Sequence, residues 1–424
     1  MEKRALIIGI DFTNEYCQAC YYNVRRKRPE SIMTGAAVMR YMIPAVLCYS
    51  NEKEDWLIGE EAMLYAEQTG AWLFRDLFNN MLLEGHVMIN DIRYTYDRLV
   101  AVFFGKLLEL IQIHSGLMSI EGINVTMRKV TIEAKEAVES VFNLLKVEPS
   151  KVRLLSYAES FAYYVLNEDE QLWKDGALLY DFDNEGFFSK QLTVAGDEDS
   201  PIFYVNEKMH SGDFHTKDLA SELLRSDLDL KLTELFEEIR FGGPRCSVFF
   251  TGTGFSELWF SGTLEKISRV CRVFKGNNLY VKGACLAGYL KAAGERSDYP
   301  IICRGRTRAS ISVKMRYKGQ LREMELSAAA CDWYDAGVIC DFILDDEKSA
   351  CFVVTSLVSR QRSEIIFDLS SFPDRPVKAT RVQVTVKYLS EHECEIRVAD
   401  AGFGAFFEAS GAEVVKRIDL EGYI

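Results

Sequence analysis

The pattern of apolar and polar residues predicts alternating strands and helices in the first two thirds of the chain. Apolar runs at residues 4–11 and 16–24, separated by turn residues, predict a hairpin. Apolar positions at helical spacing predict helices at about residues 97–114 and 133–146, and Pro149 lies just beyond the second helix. This alternation is typical of an α/β fold.

A similar arrangement returns further along the chain. Residues 152–157 predict a strand that leads into a helix, and residues 176–194 predict a second hairpin around an acidic turn. A helix is predicted at residues 213–239, a buried strand at 246–250 and a last helix at 281–293. The second hairpin repeats the arrangement of the first, so we expect a duplicated βαβ module.

Beyond residue 296 the pattern changes to alternating strands. Residues 311–317 and 321–326 flank a Lys318-Gly319 turn and predict a hairpin with one buried face. Further strands are predicted at residues 364–369, 382–386 and 395–399. We therefore predict one domain at residues 1–295 and a β-rich, β-sandwich-like domain at residues 296–424.

Composition and charge exclude several classes of function. The chain has 424 residues, of which 48% are hydrophobic and 27% charged, so we expect a globular protein of two or three folding units. Its net charge of −13 opposes attraction to nucleic acid or to an anionic membrane surface. Asp11 interrupts the first apolar run, so it lacks a signal-peptide core, and no run reaches the roughly 18 apolar residues of a membrane span.

The eleven cysteines are scattered, several of them within apolar runs. This pattern predicts buried, reduced thiols and a cytoplasmic protein. Cys17 and Cys20 lie on one predicted strand, where positions three apart point to opposite faces, so packing is favoured over a redox or zinc site. The oligomeric state stays open.

Three polar loops each follow an apolar strand, at residues 9–13, 180–186 and 250–254. A strand and a helix around Glu159 lie between the first two loops. In this order the elements resemble the nucleotide-binding domain of the actin-like ATPase superfamily, which has a ribonuclease H-like fold. The closest likeness is to the DnaK-type, seventy-kilodalton heat-shock chaperones.

The resemblance implies a site for ATP or ADP with Mg²⁺. Asp11 and Asp181 would order the metal and its waters, and Glu159, with Asp181, would serve catalysis by orienting the attacking water. Phe255 stands where the family tends to stack an arginine on adenine, and an aromatic ring can also stack. The residues that the resemblance places around the nucleotide are Asp11, Thr13, Asn14, Gly186, Gly252, Thr253, Gly254 and Phe255.

The chain departs from the family in its phosphate loops. The family uses glycines there because only a bare backbone can approach the phosphates. Residues 12–14 replace leucine, glycine and threonine, and residues 183–185, an Asp-Asn-Glu run, replace three glycines. Each extra carboxylate would oppose a phosphate charge by about 3 kcal/mol at roughly 5 Å and an effective dielectric of about 20. A matching phosphate-reaching lysine and the upper subdomain of the second half are also missing, so we expect a degenerate ATPase with weak or no hydrolysis.

The β-rich domain resembles the β-sandwich with which the same chaperones bind extended peptides. No helical lid is expected, because the sequence ends at Ile424, shortly after Ile418. The leading hypothesis is a divergent chaperone-like protein that binds nucleotide with Mg²⁺ and an extended polypeptide. The alternative is a non-catalytic scaffold or assembly protein of actin-like fold, in which the acidic residues after the strands are turn and cap formers. A sugar or small-acid kinase of the same superfamily would need a substrate-activating aspartate, for which the sequence offers no convincing candidate.

Overall fold

The computed structural model describes residues 5–34, 41–89, 92–116, 119–197, 200–210, 212–239, 246–294, 300–345 and 347–421. The chain is a mixed α/β protein that divides into two compact units, Met1–Tyr299 (unit 1) and Pro300–Ile424 (unit 2). The boundary predicted between residues 295 and 296 lies outside the described residues.

Unit 1 alternates strands and helices. Its strands are β1 (Ala5–Phe12), β2 (Tyr16–Asn23), β3 (Arg28–Ser31), β4 (Ile43–Pro44), β5 (Leu47–Ser50), β6 (Asp55–Ile58), β7 (Leu73–Phe74), β8 (His86–Ile89), β9 (Ile92–Thr95), β10 (Ser119–Met127), β11 (Val152–Ser156), β12 (Ala177–Asp183), β13 (Gly186–Asp197), β14 (Ser200–Met209), β15 (Ser247–Thr251) and β16 (Arg272–Lys275). Its helices are α1 (Gly59–Thr69), α2 (Leu77–Leu82), α3 (Tyr96–Ser115), α4 (Ile132–Leu144), α5 (Tyr157–Leu166), α6 (Glu222–Ile239), α7 (Ser261–Ser268) and α8 (Leu279–Ala293).

Two sheets of unit 1 have the same strand arrangement. The first has the order β11-β10-β1-β2-β3, in which β1, β2 and β3 form an antiparallel meander and β10 and β11 run parallel to β1. The second has β16-β15-β12-β13-β14, again with a hairpin on one side of the leading strand and two parallel strands on the other. β1 and β12 are therefore equivalent, and both are almost wholly buried, as their continuous apolar runs require.

The two halves of unit 1, one built around the sheet of β1 and the other around the sheet of β12, differ in the segments inserted between their shared elements. Between β3 and α3 the first half adds β4 to β9 together with α1 and α2. Between β14 and β15, the described residues of the second half contain a 3-10 turn (Thr216–Ala220) and α6. In the inserted segment of the first half, β4 ends at Pro44 and β5 is a separate short strand.

The expectation that every cysteine is reduced is wrong for one pair. Cys246 and Cys271 form a disulfide, with their Cα atoms 5.2 Å apart. They lie directly before β15 and β16, and the parallel pairing of these two strands brings them together. The other nine cysteines are free thiols.

Unit 2 is a β domain. Its strands are β17 (Ile301–Ile302), β18 (Ala309–Tyr317), β19 (Gln320–Ser327), β20 (Val338–Ile343), β21 (Ser349–Ser356), β22 (Arg362–Asp368), β23 (Arg381–Tyr388), β24 (Glu393–Asp400) and β25 (Glu413–Asp419). Two antiparallel four-stranded sheets have the orders β19-β18-β21-β22 and β20-β23-β24-β25. The sheets contact each other through Ser327 Oγ and Tyr388 Oη, 2.9 Å apart, and through Lys416 Nζ, which donates to the Ile366 carbonyl at 2.8 Å.

Candidate functional site

Two equivalent aspartates form the centre of the site. Asp11 is on β1 and Asp181 is on β12, and both are buried. Each accepts a hydrogen bond from a tyrosine in the first turn of a helix. Tyr157 Oη of α5 donates to Asp11 at 2.7 Å, and Tyr280 Oη of α8 donates to Asp181 at 2.8 Å. The two tyrosine rings stack with centroids 4.0 Å apart, so the halves of unit 1 meet in a nearly symmetric Asp-Tyr-Tyr-Asp arrangement.

An arginine fills the space beside these aspartates. Arg128 directly follows β10, and its guanidinium contacts Asp181 at 3.0 Å, Asp183 at 2.5 Å and Glu185 at 2.5 Å. The guanidinium carbon also lies 4.1 Å from the centroid of the Phe188 ring. The first half of unit 1 therefore inserts a cation among three carboxylates of the β12–β13 turn, with charge-assisted hydrogen bonds to each.

A second cation lies deeper in the same cluster. Lys190 of β13 is fully buried, and its Nζ lies 3.1 Å from Glu207 and 3.5 Å from Asp181. Its ammonium group is also 5.3 Å from the centroid of the Tyr280 ring. Asp181 thus contacts two cations and accepts a hydrogen bond from one tyrosine hydroxyl. These contacts favour the ionised form of the buried carboxylate.

The electrostatic balance differs among the three aspartates. Burial raises the pKa of Asp11 to about 7; the charges of Asp181 and Asp183 add to this effect, and the Tyr157 hydrogen bond and Arg128 oppose it. Burial and the Asp181 charge also raise the pKa of Asp183 to about 7. Burial acts in the same direction on Asp181, but Arg128 and Lys190 outweigh it, so the pKa of Asp181 lies below its ordinary value. The site therefore holds more carboxylates than its two cations neutralise.

Glu159 is held by a different partner. It lies in the first turn of α5 and is buried, and Arg153 Nη2 contacts its carboxylate at 2.6 Å. Its backbone N–H donates to Ser156 Oγ at 3.1 Å, which caps the helix. These contacts give Glu159 a place in the structure of α5, whereas the sequence hypothesis assigned it to an attacking water.

The first two loops use their polar groups within the protein. Thr13 Oγ1 donates to the Tyr16 carbonyl at 3.0 Å, and Asn14 Oδ1 accepts the Asn79 backbone N–H at 2.9 Å. Gly186 pairs with Asp183 and closes the β12–β13 hairpin. These contacts shape the two turns within the protein.

The third loop packs on the β12–β13 turn. Gly252 has a φ of +96°, and a Cβ there would lie 2.2 Å from the Phe182 carbonyl oxygen. A Cβ at Gly254 would lie 2.4 Å from the Phe182 ring. Thr253 begins a single 3-10 turn that ends at Phe255. The two glycines are thus required by the close approach of Phe182.

Phe255 is fully buried and stacks on Trp259, with ring centroids 5.6 Å apart. It also contacts Phe250 and Phe260, both at 5.0 Å between centroids. Because its ring is enclosed by aromatic side chains, it has no free face on which an adenine could stack in this conformation.

The arrangement does not fit a magnesium ion. Arg128 donates to the Oδ2 atoms of Asp181 and Asp183, and Asp11 accepts from a tyrosine, so a metal at these carboxylates would face a guanidinium. Across the described ranges, no group of three or more His, Cys, Asp and Glu side chains is arranged to hold a metal ion. The Mg²⁺-nucleotide site implied by the resemblance stays a prediction.

Sequence reasoning missed Arg128, Tyr157, Lys190, Glu207 and Tyr280. The strand directly before Arg128, β10, was not predicted either, although residues 123–127 alternate apolar and polar side chains between two predicted helices. This strand pattern ends at the basic pair 128–129. It would have predicted a cation at the end of the strand next to β1, close to Asp11.

The fold and the site together define an α/β protein with two equivalent sheets that meet at a closed, charged cleft. The chain belongs to the family described as "Family of unknown function (DUF5716) C-terminal", which it matches over residues 28–305. Residues 306–420 match a "Domain of unknown function (DUF8552)". Comparison with curated proteins finds no match. Within the described residues, none of the helices has the length and apolar character needed for a membrane crossing.

Proposed function

We propose that unit 1 is a degenerate module of the actin-like ATPase fold, that it does not hydrolyse ATP, and that the protein acts as a scaffold. The repeated sheet supports the proposed fold, since each leading strand has a hairpin on one side and two parallel strands on the other. Equivalent aspartates on β1 and β12 agree with the same resemblance. Nine of the eleven cysteines are outside disulfides, which favours a reducing, cytoplasmic compartment, although the Cys246–Cys271 disulfide is an exception to that pattern.

One observation carries the non-catalytic proposal: the guanidinium of Arg128 lies among the carboxylates where the resemblance implies Mg²⁺. A guanidinium and a magnesium ion carry charge of the same sign and compete for the same carboxylates, so a metal would have to displace or repel Arg128. Arg128 is tied to three carboxylates and packed on Phe188, so its displacement by a metal would break charge-assisted contacts in a buried site.

Two measurements on the purified protein test this function. We expect no phosphate release from millimolar Mg-ATP, and no rise in the unfolding midpoint with Mg-ATP or Mg-ADP. A ligand at about 100 times its dissociation constant would stabilise the protein by about 2.7 kcal/mol, which is a shift of several degrees. Turnover that is abolished by Asp181→Asn would overturn the proposal, because it would require a working metal site in wild-type protein.

A second candidate is a chaperone-like function in which unit 2 binds extended polypeptide without ATP turnover. The observation that favours it is the pair of antiparallel four-stranded sheets in unit 2, whose edge strands lie at the surface. Fluorescence anisotropy of a labelled, permanently unfolded carboxymethylated protein would test it. Saturable binding that is insensitive to Mg-ATP is expected under this candidate, and the absence of binding would contradict it.

A further inference from the structure

Unit 2 exposes one sheet edge that lacks the usual protection. β20 pairs with β23 on one side, and no described strand pairs with its other side. An edge strand offers unpaired backbone N–H and C=O groups to any other strand, so proteins protect such edges with charges, prolines or bulges. β20 has no proline, and Asp341 is its single charged residue.

The three other edge strands of the two sheets in unit 2 are protected by charge. β19, β22 and β25 each carry three or four charged residues; these are Arg322, Glu323 and Glu325 on β19, Arg362, Glu364 and Asp368 on β22, and Glu413, Lys416, Arg417 and Asp419 on β25. Lys416 also donates to a backbone carbonyl of β22, at Ile366. The contrast within one domain singles out β20 as an edge that is kept open.

The side chains of β20 determine what it can accept. On the outer face Asp341 lies between Ile339, which is 67% exposed, and Ile343, which is 58% exposed. On the inner face Val338, Cys340 and Phe342 are half-buried. Residues directly opposite each other on adjacent strands interact most strongly, so an added strand needs apolar side chains opposite the isoleucines and a cation opposite Asp341.

The carboxylate of Asp341 has only loose contacts on the β23 side. Arg381 Nη1 is 3.8 Å away and Gln383 Nε2 is 3.4 Å away, and all three side chains are exposed. A lysine or arginine on the open side of β20 can therefore reach the carboxylate without displacing a buried ion pair.

We propose that β20 is the docking strand for an extended segment of a partner protein that presents an apolar residue, a lysine or arginine, and an apolar residue at alternate positions. This inference rests on the scaffold function proposed above, because it names the surface that holds the partner. A second copy of the chain is a poor occupant. Pairing β20 with itself about a two-fold axis places Asp341 opposite either another Asp341 or an isoleucine. Like charges directly opposite each other are destabilising, and an isoleucine gives the carboxylate no counter-charge.

The test uses the full chain and two synthetic peptides. The first has the sequence Ser-Gly-Val-Thr-Lys-Thr-Val-Gly-Ser with a fluorescent label, and the second has glutamate in place of lysine. Fluorescence anisotropy should show the lysine peptide binding about threefold to tenfold more tightly than the glutamate peptide, since the cross-strand charge changes from attractive to repulsive. Asp341→Lys should reverse this preference.

Glu325→Lys is the matched control, because it makes the same charge change at an exposed position of the edge strand β19. It should leave the lysine preference unchanged. Equal binding of the two peptides by wild type, or an unchanged preference in Asp341→Lys, would overturn the β20 inference. So would sedimentation of the wild-type chain as a dimer that Asp341→Lys dissociates, because the occupant would then be a second copy. ATP turnover would instead overturn the scaffold function and leave the peptide preference unaffected.

Discussion

Replacing Arg128 with methionine should lower the free energy of unfolding of unit 1 by about 3–5 kcal/mol, the range for breaking a buried ion pair from one side. Methionine keeps the apolar stem beside Phe188 and removes the charge. Asp181 is 2% exposed and Asp183 is 13% exposed, so both would lose their main counter-charge in a buried site. The contact with Glu185, which is 54% exposed, contributes little.

The effect of this substitution should depend on pH. Without the guanidinium the pKa of Asp181 should rise above its ordinary value of 3.8. Burial raises this pKa, and Lys190 and the Tyr280 hydroxyl then oppose burial without the help of Arg128. A carboxyl group whose folded-state pKa is raised binds protons more tightly when folded. The destabilisation is therefore largest above pH 7 and decreases as the pH falls towards 4.

Urea denaturation followed by tryptophan fluorescence at pH 5 and pH 8 measures this effect. Four of the five tryptophans, Trp56, Trp72, Trp173 and Trp259, are in unit 1, so the signal reports mainly on that unit. Arg269→Met is the matched control, because Arg269 pairs with Glu265 at the surface of the same unit and its loss should cost about 0.5 kcal/mol. A loss below about 1 kcal/mol for the Arg128 variant, or the same loss at both pH values, would refute the reasoning.

Three further outcomes are expected. Asp11→Asn should stabilise the protein at pH 8 by at most about 4 kcal/mol, because it removes a carboxyl group whose pKa is raised from 3.8 to about 7. It should also flatten the decline of stability as the pH rises from 4 to 7. Parallel profiles of the unfolding free energy of variant and wild type across this range would contradict it. Gly252→Ala should destabilise unit 1 by about 3 kcal/mol in the same assay, since its Cβ would meet the Phe182 carbonyl at 2.2 Å. An unchanged midpoint would show that the loop can move. Arg375→Met should destabilise unit 2 by about 3–5 kcal/mol in thermal unfolding, because it breaks a buried bidentate pair with Asp400 at 2.7 and 2.8 Å. A loss as small as that of a surface ion pair would contradict the burial of this pair.

Local patterns in the sequence predicted many of the elements of unit 1 closely. The helices predicted at residues 97–114, 133–146 and 281–293 correspond to α3, α4 and α8 within two residues at each end. Such elements follow from periodic burial of apolar side chains and from local capping residues, which are properties of neighbouring positions. Two strands were missed: β14, which pairs with β13 in the second sheet, and β10, which is parallel to β1 in the first.

The sequence also brought attention to Asp11 and Asp181, because each follows an apolar run at the end of a strand. It could not show what these aspartates contact. Arg128 meets Asp181, Asp183 and Glu185 across sequence separations of 53, 55 and 57 residues, and Tyr280 meets Asp181 across 99. Each residue alone fits an ordinary surface position or a cap.

The sequence by itself therefore determined the types of the segments, the acidic character of the turns and the change to β structure near residue 296. Only the tertiary structure decided that Arg128, from the first half of unit 1, contacts the carboxylates of the second half. It also decided that Phe182 packs against the third loop and that Phe255 of this loop is buried. The physical reason is that ion pairing and burial depend on which side chains the pairing of strands brings into one low-dielectric space, and that pairing is not a local property of the chain.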